Sequence, residues 1–349
     1  MRTRTLGRTD VRVTTLGFGA AGIGNLYTPV RDDEAYVALD TAWDAGLRYF
    51  DTAPHYGLGL SERRVGEYLR TRPTGSYTLS TKVGRLLEPY DGGSGSGSGS
   101  GGDGGGDDSA NGFAVPATTR RVWDFSASGV RRSIEDSLGR LGVDRIDVAY
   151  IHDPDHHAKE AFGEAYPELE RLRGEGLVGA IGAGMNQSAM LTRFVRDTDV
   201  DVVLCAGRYT LLDQRALKLL LPAAVERGVS VVLGGVFNSG LLADPKQGGT
   251  FDYSLASPEV LSRARKFKDL AERHGTTLRA AALAFPFGHP GVTSVLVGTR
   301  SAAEVTDAVQ QSAAKVPDGF WHEARARHLL PAHVPVPRSD TPSEQEPYT

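Results

Sequence analysis

Short apolar, β-branched runs alternate along this chain with longer stretches whose apolar residues recur at helical spacing. The runs predict strands at Val13–Gly19, Leu47–Asp51, Tyr77–Lys82, Ile146–His152, Val178–Ala183, Val202–Ala206, Val229–Gly234 and Thr293–Gly298. Several, such as VSVVL at 229–233, are almost continuously apolar, the pattern of strands covered on both faces. Between them, Val130, Ile134, Leu138 and Leu141 share one helical face with charges opposite. Ser61 is placed to cap a helix carrying Val65, Tyr68 and Leu69. Asp213–Arg227 and Pro258–His274 have the same amphipathic spacing. Eight strand-then-helix units predict an α/β fold of one closed (β/α)8 TIM barrel, with long loops on the C-terminal face, rather than an open sheet.

Two stretches break the alternation. From Gly92 to Gly106 the chain is nearly all Gly and Ser, and Asp107, Asp108, Ser109 and Asn111 follow. Such a segment has nothing to bury, so residues 91–112 are expected to form a flexible loop rising from the strand-end face. Residues 331–349, rich in Pro, Ser and Glu, are expected to be a disordered tail, leaving 1–330 for the barrel.

Composition changes this picture little. A length of 349 residues suggests about two domains as a bare prior, but one α/β barrel accommodates it and affords a sizeable core. With 40% hydrophobic and 23% charged residues and a net charge of −4, nothing favours nucleic acid or an anionic membrane as partner. No run approaches the roughly 18 apolar residues of a membrane span, and the N-terminus lacks the apolar core of a signal peptide. The single cysteine, Cys205, lies in an apolar run and has no partner for a disulfide within the chain. A cytoplasmic protein acting on a small molecule is expected; monomer or homodimer stays open.

Gly17-Phe18-Gly19-Ala20-Ala21-Gly22 matches the glycine fingerprint of dinucleotide-binding folds and follows a strand. That fingerprint needs a helix beginning at once, so that its N-terminus meets a pyrophosphate. Here Gly24, Asn25 and Pro29 come next, and helical spacing resumes only near Asp32. A glycine-rich turn after the first strand is the better reading.

The candidate chemistry lies at four strand ends. Asp51, Tyr56, Lys82 and His152 each fall at or just past the C-terminal end of a predicted strand. In a parallel barrel those ends meet on one face. A phenol is a usable acid near neutrality, and an adjacent ammonium favours its phenolate. Lys82 can supply that charge, Asp51 can hold Lys82, and His152 can orient an oxygen. Together they suit proton transfer at an oxygen and, beside a nicotinamide, carbonyl reduction or alcohol oxidation. The string His152-Asp153-Pro154-Asp155-His156-His157 leaves a metal hydrolase open, although no strand carries a His-x-His pair.

The strings RYFDTAPHYG (48–57), STKVG (80–84) and YIHDPD (150–155) resemble signatures of the aldo-keto reductase superfamily, and the likeness runs from about Arg4 to Leu330. The resemblance implies a barrel binding NADP or NAD without a Rossmann domain. It makes Tyr56 the general acid/base, Lys82 and Asp51 its tuning pair, and His152 the substrate-orienting residue. It also implies cofactor contacts from Gly19 and Ala20 and nicotinamide contacts from Asn186 and the ring of Tyr209. Gly235, Val236, Phe237, Asn238, Gly240 and Leu241 would hold the pyrophosphate. Gly298, Thr299, Arg300 and Glu304 would hold the adenosine end, Arg300 giving a slight preference for NADP. The strings AGRYTLLDQ, GGVFNSGLL, IGAGMNQ and VWDFSASGV are similar to the branch of D-threo-aldose 1-dehydrogenases, which includes L-fucose, galactose and pyridoxal dehydrogenases. That branch implies oxidation of an anomeric C1–OH to a lactone, with His55, Trp123, Phe125 and Arg208 as candidate substrate contacts and no metal. A reductase of aldehydes or ketones, or a nicotinamide-sensing regulatory protein, are the competing expectations.

Overall fold

The computed structural model describes residues 1–90, 106–252 and 254–338. Eight parallel strands close a barrel: Leu16–Gly19, Tyr49–Asp51, Thr78–Val83, Ile146–His152, Val178–Met185, Val202–Ala206, Ser230–Gly234 and Val292–Gly298. Each pairs with the next in chain order, and the eighth closes on the first through Val295–Leu16 and Gly298–Gly19. All eight predicted strands are therefore present.

The first differs in extent. Arg12–Thr14 leaves the barrel and pairs antiparallel with Thr3–Thr5. This hairpin covers the N-terminal end of the barrel: Arg4 donates to the Val292 carbonyl, Thr78 Oγ1 donates to the Arg12 carbonyl, and the Gly7 N–H donates to Ser230 Oγ. Leu6 and Val13 join the core inside the barrel, among Tyr49, Val148, Tyr150, Val202, Val232 and Leu296. The larger core lies outside it, between strands and helices, so strands covered on both faces read as unbroken apolar runs.

Helices at 32–44, 60–69, 127–141, 166–174, 188–197, 220–227, 258–273 and 302–313 surround the barrel. Ser126 and Ser257 cap the helices that follow them. Ser61 is not a cap. It lies inside the helix Leu60–Leu69, whose N-terminal boundary is Gly59, and its hydroxyl donates to the Ala20 carbonyl. The fingerprint-like glycines lead to a short 3-10 turn, Gly22–Gly24, and the next helix begins at Asp32.

After the third strand the chain forms a hairpin, Arg85–Pro89 with Thr119–Trp123. Residues 91–105 of the expected flexible loop lie outside the described residues. Its end, 106–112, corrects the expectation: Asp107 bridges Pro116, Ser109–Asn111 makes a 3-10 turn, and Asp108 is buried against Arg121. A bidentate ion pair and the apolar side chain of Phe113, which follows, fold this stretch where Gly and Ser alone would not. The expected tail is likewise shorter, since Val334 is buried and its carbonyl accepts from Arg325, while 339–349 lie outside the described residues.

Candidate active site

The C-terminal ends of the second, third and fourth strands bring the four sequence candidates together. Lys82 Nζ lies 3.0 and 2.8 Å from the two carboxylate oxygens of Asp51 and donates to the Thr52 carbonyl at 2.8 Å. It stands 4.7 Å from the centre of the Tyr56 ring. The His152 ring meets Tyr56 edge to face at 6.0 Å. Asp51 and Lys82 are 4% and 2% exposed, and His152 is 6% exposed.

The short strand Tyr49–Asp51 directs Asp51 into the barrel, where Ser80 Oγ donates to it at 2.7 Å. Beneath, the Tyr49 and Tyr150 hydroxyls are 3.0 Å apart, and Ser80 Oγ is 3.2 Å from Tyr49. A chain of buried hydroxyls thus ends on the carboxylate that holds Lys82. Tyr56 comes from the loop beyond the strand. Gly57, at φ +61°, lets this loop lie on the turn after the first strand; a Cβ there would meet the Gly24 carbonyl at 2.2 Å.

Electrostatics favour an ionised Lys82, a neutral His152 and a protonated Tyr56 at rest. Burial raises the Tyr56 pKa, and the opposing pull of Lys82 only partly offsets it. The expected lowering by Lys82 is therefore present but outweighed by desolvation. Burial also pulls Lys82 down, yet Asp51 and Tyr56 together outweigh it and the net direction is up. His152 is held well below its usual range by burial, then by Arg85, Lys82 and His55. His55 is pushed down to about 2, chiefly by burial and then by Arg85.

The substrate candidates divide. The His55 ring lies 5.8 Å from that of His152 and 5.2 Å from Phe113, and its buried Nδ1 has no hydrogen-bond partner. Trp123, 46% exposed, stacks on Phe125 and His157. Phe125 is buried against Gly84, where φ is +106° and a Cβ would lie 2.2 Å from the ring. Arg208 is committed elsewhere: it donates to Asp252 at 2.5 Å and lies 3.7 Å from Asp213.

A groove of about 780 Å³ runs from the turn after the first strand across the ends of strands seven and eight. Gly235, Val236, Phe237, Asn238, Gly240, Gly298, Thr299, Arg300 and Glu304 line it. Asn238 Oδ1 and Thr299 Oγ1 are buried there without partners. The helix Ala302–Ala313 begins at its edge, capped by Ser301, and supplies the partial positive charge that suits a phosphate. These features fit a dinucleotide. Asn186 is half-buried just past the fifth strand.

Of the other expected contacts, Gly19 ends the first strand, half-buried and outside the groove lining, and three more lie in the core. Ala20 is sealed in the outer core, and Ala21 and Gly22 line the groove instead. Leu241 is core as well. Tyr209 is 1% exposed and packs on Phe285 and His289 behind the strands, because the chain turns outward at Gly207, φ +68°. At the adenosine end, Glu304 accepts from both the backbone and Nε of Arg300, at 2.9 and 3.1 Å. Asp33 and Glu34 line the adjoining cavity with Arg300.

Sequence reasoning missed Arg85, whose guanidinium bridges His152 and Asp153, and the Asp108–Arg121 pair, whose arginine also donates to the His55 carbonyl at 2.8 Å. Arg85 directly follows the STKVG string, the one local signal available. Among the described residues no group of three or more His, Cys, Asp or Glu is arranged to hold a metal ion, and no helix is long and apolar enough to cross a membrane.

Comparison with known proteins agrees with this geometry. The profile described as Aldo/keto reductase family matches residues 15–326. The chain is 45% identical over 322 residues to a D-threo-aldose 1-dehydrogenase from a Pseudomonas species, covering 91% of this chain and 95% of that one. It is 38% identical over 338 residues to pyridoxal 4-dehydrogenase from Microbacterium luteolum, covering 94% and 97%. In fold it is similar to the holo form of the aldo-keto reductase AKR11C1 from Bacillus halodurans, with a TM-score of 0.72 at 24% identity over 96% of this chain and 98% of that one.

Proposed function

This chain belongs to the aldo/keto reductase family, and from that premise we propose that it is an aldose 1-dehydrogenase that oxidises the anomeric C1–OH of an aldose to a lactone. The observation that carries the chemistry is the buried Asp51–Lys82 pair set beneath the Tyr56 ring and facing a neutral His152. The substrate class comes from the 45% identical D-threo-aldose 1-dehydrogenase.

Bound NAD(P)⁺ supplies the acceptor for the hydride that leaves C1. The residues of the chain do the rest. Tyr56, as phenolate, takes the proton of the C1 hydroxyl. Lys82 stabilises that phenolate, and Asp51, with Ser80 behind it, keeps Lys82 charged and in place. The ring of His152 donates a hydrogen bond to the C1 oxygen and orients it. The balance is one hydride to the cofactor and one proton to Tyr56, leaving a carbonyl at C1. The exposed edge of Trp123, whose ring is packed by Phe125, His157 and the Arg85 guanidinium, offers an apolar surface to the sugar, and the unpartnered His55 Nδ1 is a candidate hydrogen-bond group for a hydroxyl. Phe113, whose ring lies 6.2 Å from that of Tyr56, adds a buried apolar neighbour beside the phenol.

The groove is proposed to hold the cofactor through the backbone at 235–240, the side chains of Asn238 and Thr299, and the start of the helix at Ala302. Arg300 taken alone favours a 2′-phosphate. Its bond to Glu304, with Asp33 and Glu34 beside it, penalises a dianion there, and we place NAD ahead of NADP. A second reading, reduction of an aldehyde of the pyridoxal type, draws on the raised pKa of Tyr56, which keeps the phenol protonated and ready as an acid. Initial rates across aldoses and pyridoxal with NAD or NADP, and aldehydes with the reduced cofactors, separate the two. Oxidation of at least one aldose at rates exceeding every reduction supports the proposal; no aldose oxidised across the panel refutes it.

A further inference from the structure

Arg85 opens the hairpin strand that rises from the third barrel strand. Its side chain is only 10% exposed. Nη1 lies 2.8 Å from His152 Nδ1, Nη2 donates to Asp153 Oδ2 at 2.8 Å, and the guanidinium carbon stands 4.2 Å from the centre of the Trp123 ring. One arginine thus touches the imidazole, the carboxylate next to it in sequence, and the ring of Trp123.

A guanidinium has five N–H donors and no acceptor, and it does not lose its charge in proteins. Whichever ring nitrogen faces it must therefore present a lone pair. An imidazolium would set N–H against N–H and one cation against another. A neutral ring with its hydrogen on Nδ1 would make the same clash of donors. The remaining form accepts at Nδ1 and carries its hydrogen on Nε2. We infer that Arg85 is a positioning residue that locks His152 in the Nε2–H tautomer, making it a fixed hydrogen-bond donor rather than a proton-transfer group.

The other neighbours support this assignment. Nε2 has Asp153 Oδ2 at 3.5 Å, longer than a good hydrogen bond, and Arg85 already occupies that carboxylate. The groups facing His152 are Tyr56 and His55 from the loop after the second strand, Lys82 from the third, Arg85 from the hairpin and Asp153 from its own loop. Burial disfavours the charged ring most, and the two cations among these neighbours, Arg85 and Lys82, act in the same direction, so the neutral form persists as pH falls. That the Nε2–H then serves a C1 oxygen rests on the function proposed above; the tautomer itself does not.

The test is nitrogen-15 NMR on the full chain labelled at histidine, without cofactor, with the His152 signals assigned by their loss in His152→Gln. The wild type is expected to show the Nε2–H pattern for His152 and no titration between pH 8 and 5.5. In Arg85→Gln the ring is expected to show mixed tautomers. Aldose oxidation by that variant is expected to lose about tenfold to hundredfold in kcat, by analogy with the outer partners that fix a metal-bound histidine. KM for the cofactor stays put. Arg85→Lys, which keeps a charged donor, is expected to restore the tautomer and part of kcat. An Nδ1–H pattern in the wild type overturns the inference even if no variant folds. So does an Arg85→Gln protein that loses thermal stability with its tautomer unchanged. An Nε2–H wild type that oxidises no aldose upholds the role of Arg85 and counts against the aldose reading alone.

Discussion

Lys82 Nζ touches both carboxylate oxygens of Asp51, at 3.0 and 2.8 Å, in a place where neither side chain sees solvent. Each charge is tolerable only because of the other. Replacing one partner, as in Asp51→Asn or Lys82→Met, is expected to cost about 3–5 kcal/mol of stability. The double variant should cost clearly less than the sum of the two. Urea denaturation of the four proteins measures this directly. Additive losses would mean that the two side chains do not share one interaction.

The buried phenol of Tyr56 sets the pH dependence. Tyr56 has its pKa raised, mainly by burial, so the phenolate needed for oxidation is scarce at neutrality. Its population grows about tenfold per pH unit below the pKa. Lys82 is shifted up and His152 down, so neither changes charge between pH 6 and 9. Aldose oxidation, as log kcat/KM, should rise with pH with a slope near one across that window. Reduction of an aldehyde should be flat over the same range. An oxidation rate that is flat from pH 6 to 9 would remove Tyr56 as the titrating base.

Arg121 donates to Asp108 from both terminal nitrogens and to the His55 carbonyl from one of them. This ties the far end of the glycine-serine insert to the loop that carries Tyr56. Asp108→Ala leaves a buried guanidinium without its counter-ion and is expected to cost about 3 kcal/mol. It should also raise KM for the sugar several-fold with little change in KM for the cofactor. Thermal unfolding with steady-state kinetics checks both effects.

Cofactor choice should respond to the carboxylate on Arg300. Glu304→Gln frees the guanidinium and is expected to improve kcat/KM for NADP relative to NAD about tenfold. Arg300→Ala should lower use of NADP more than use of NAD. Both follow from paired titrations of the two cofactors at one fixed sugar concentration.

The barrel was legible because its strands are covered on both faces and so read as unbroken apolar runs, VSVVL most plainly. The tetrad was legible because a strand end followed by a polar side chain survives in one dimension. What the sequence hid involves partners far apart in the chain. Val13 and Thr14 read as part of the first strand because apolar periodicity does not distinguish a barrel strand from the hairpin beneath it. Tyr209 read as a ring for the cofactor because a position after a strand end does not say which way the chain turns, and Gly207 turns it outward. The link from Arg85 to His152 spans 67 positions and the one from Asp108 to Arg121 crosses a hairpin, so neither leaves any periodic trace. Glu304 lies one helical turn beyond Arg300, a spacing visible in the sequence whose meaning for the cofactor depends on the cavity they share.

The most direct measurement of the central claim is the rate of reduced-nicotinamide formation from L-fucose and other aldoses with NAD, compared between the wild type and Tyr56→Phe at pH 9. Measurable oxidation by the wild type is expected, with a loss of about 10²–10⁴-fold in kcat for the variant and cofactor binding retained. Oxidation by Tyr56→Phe at the wild-type rate would contradict that claim.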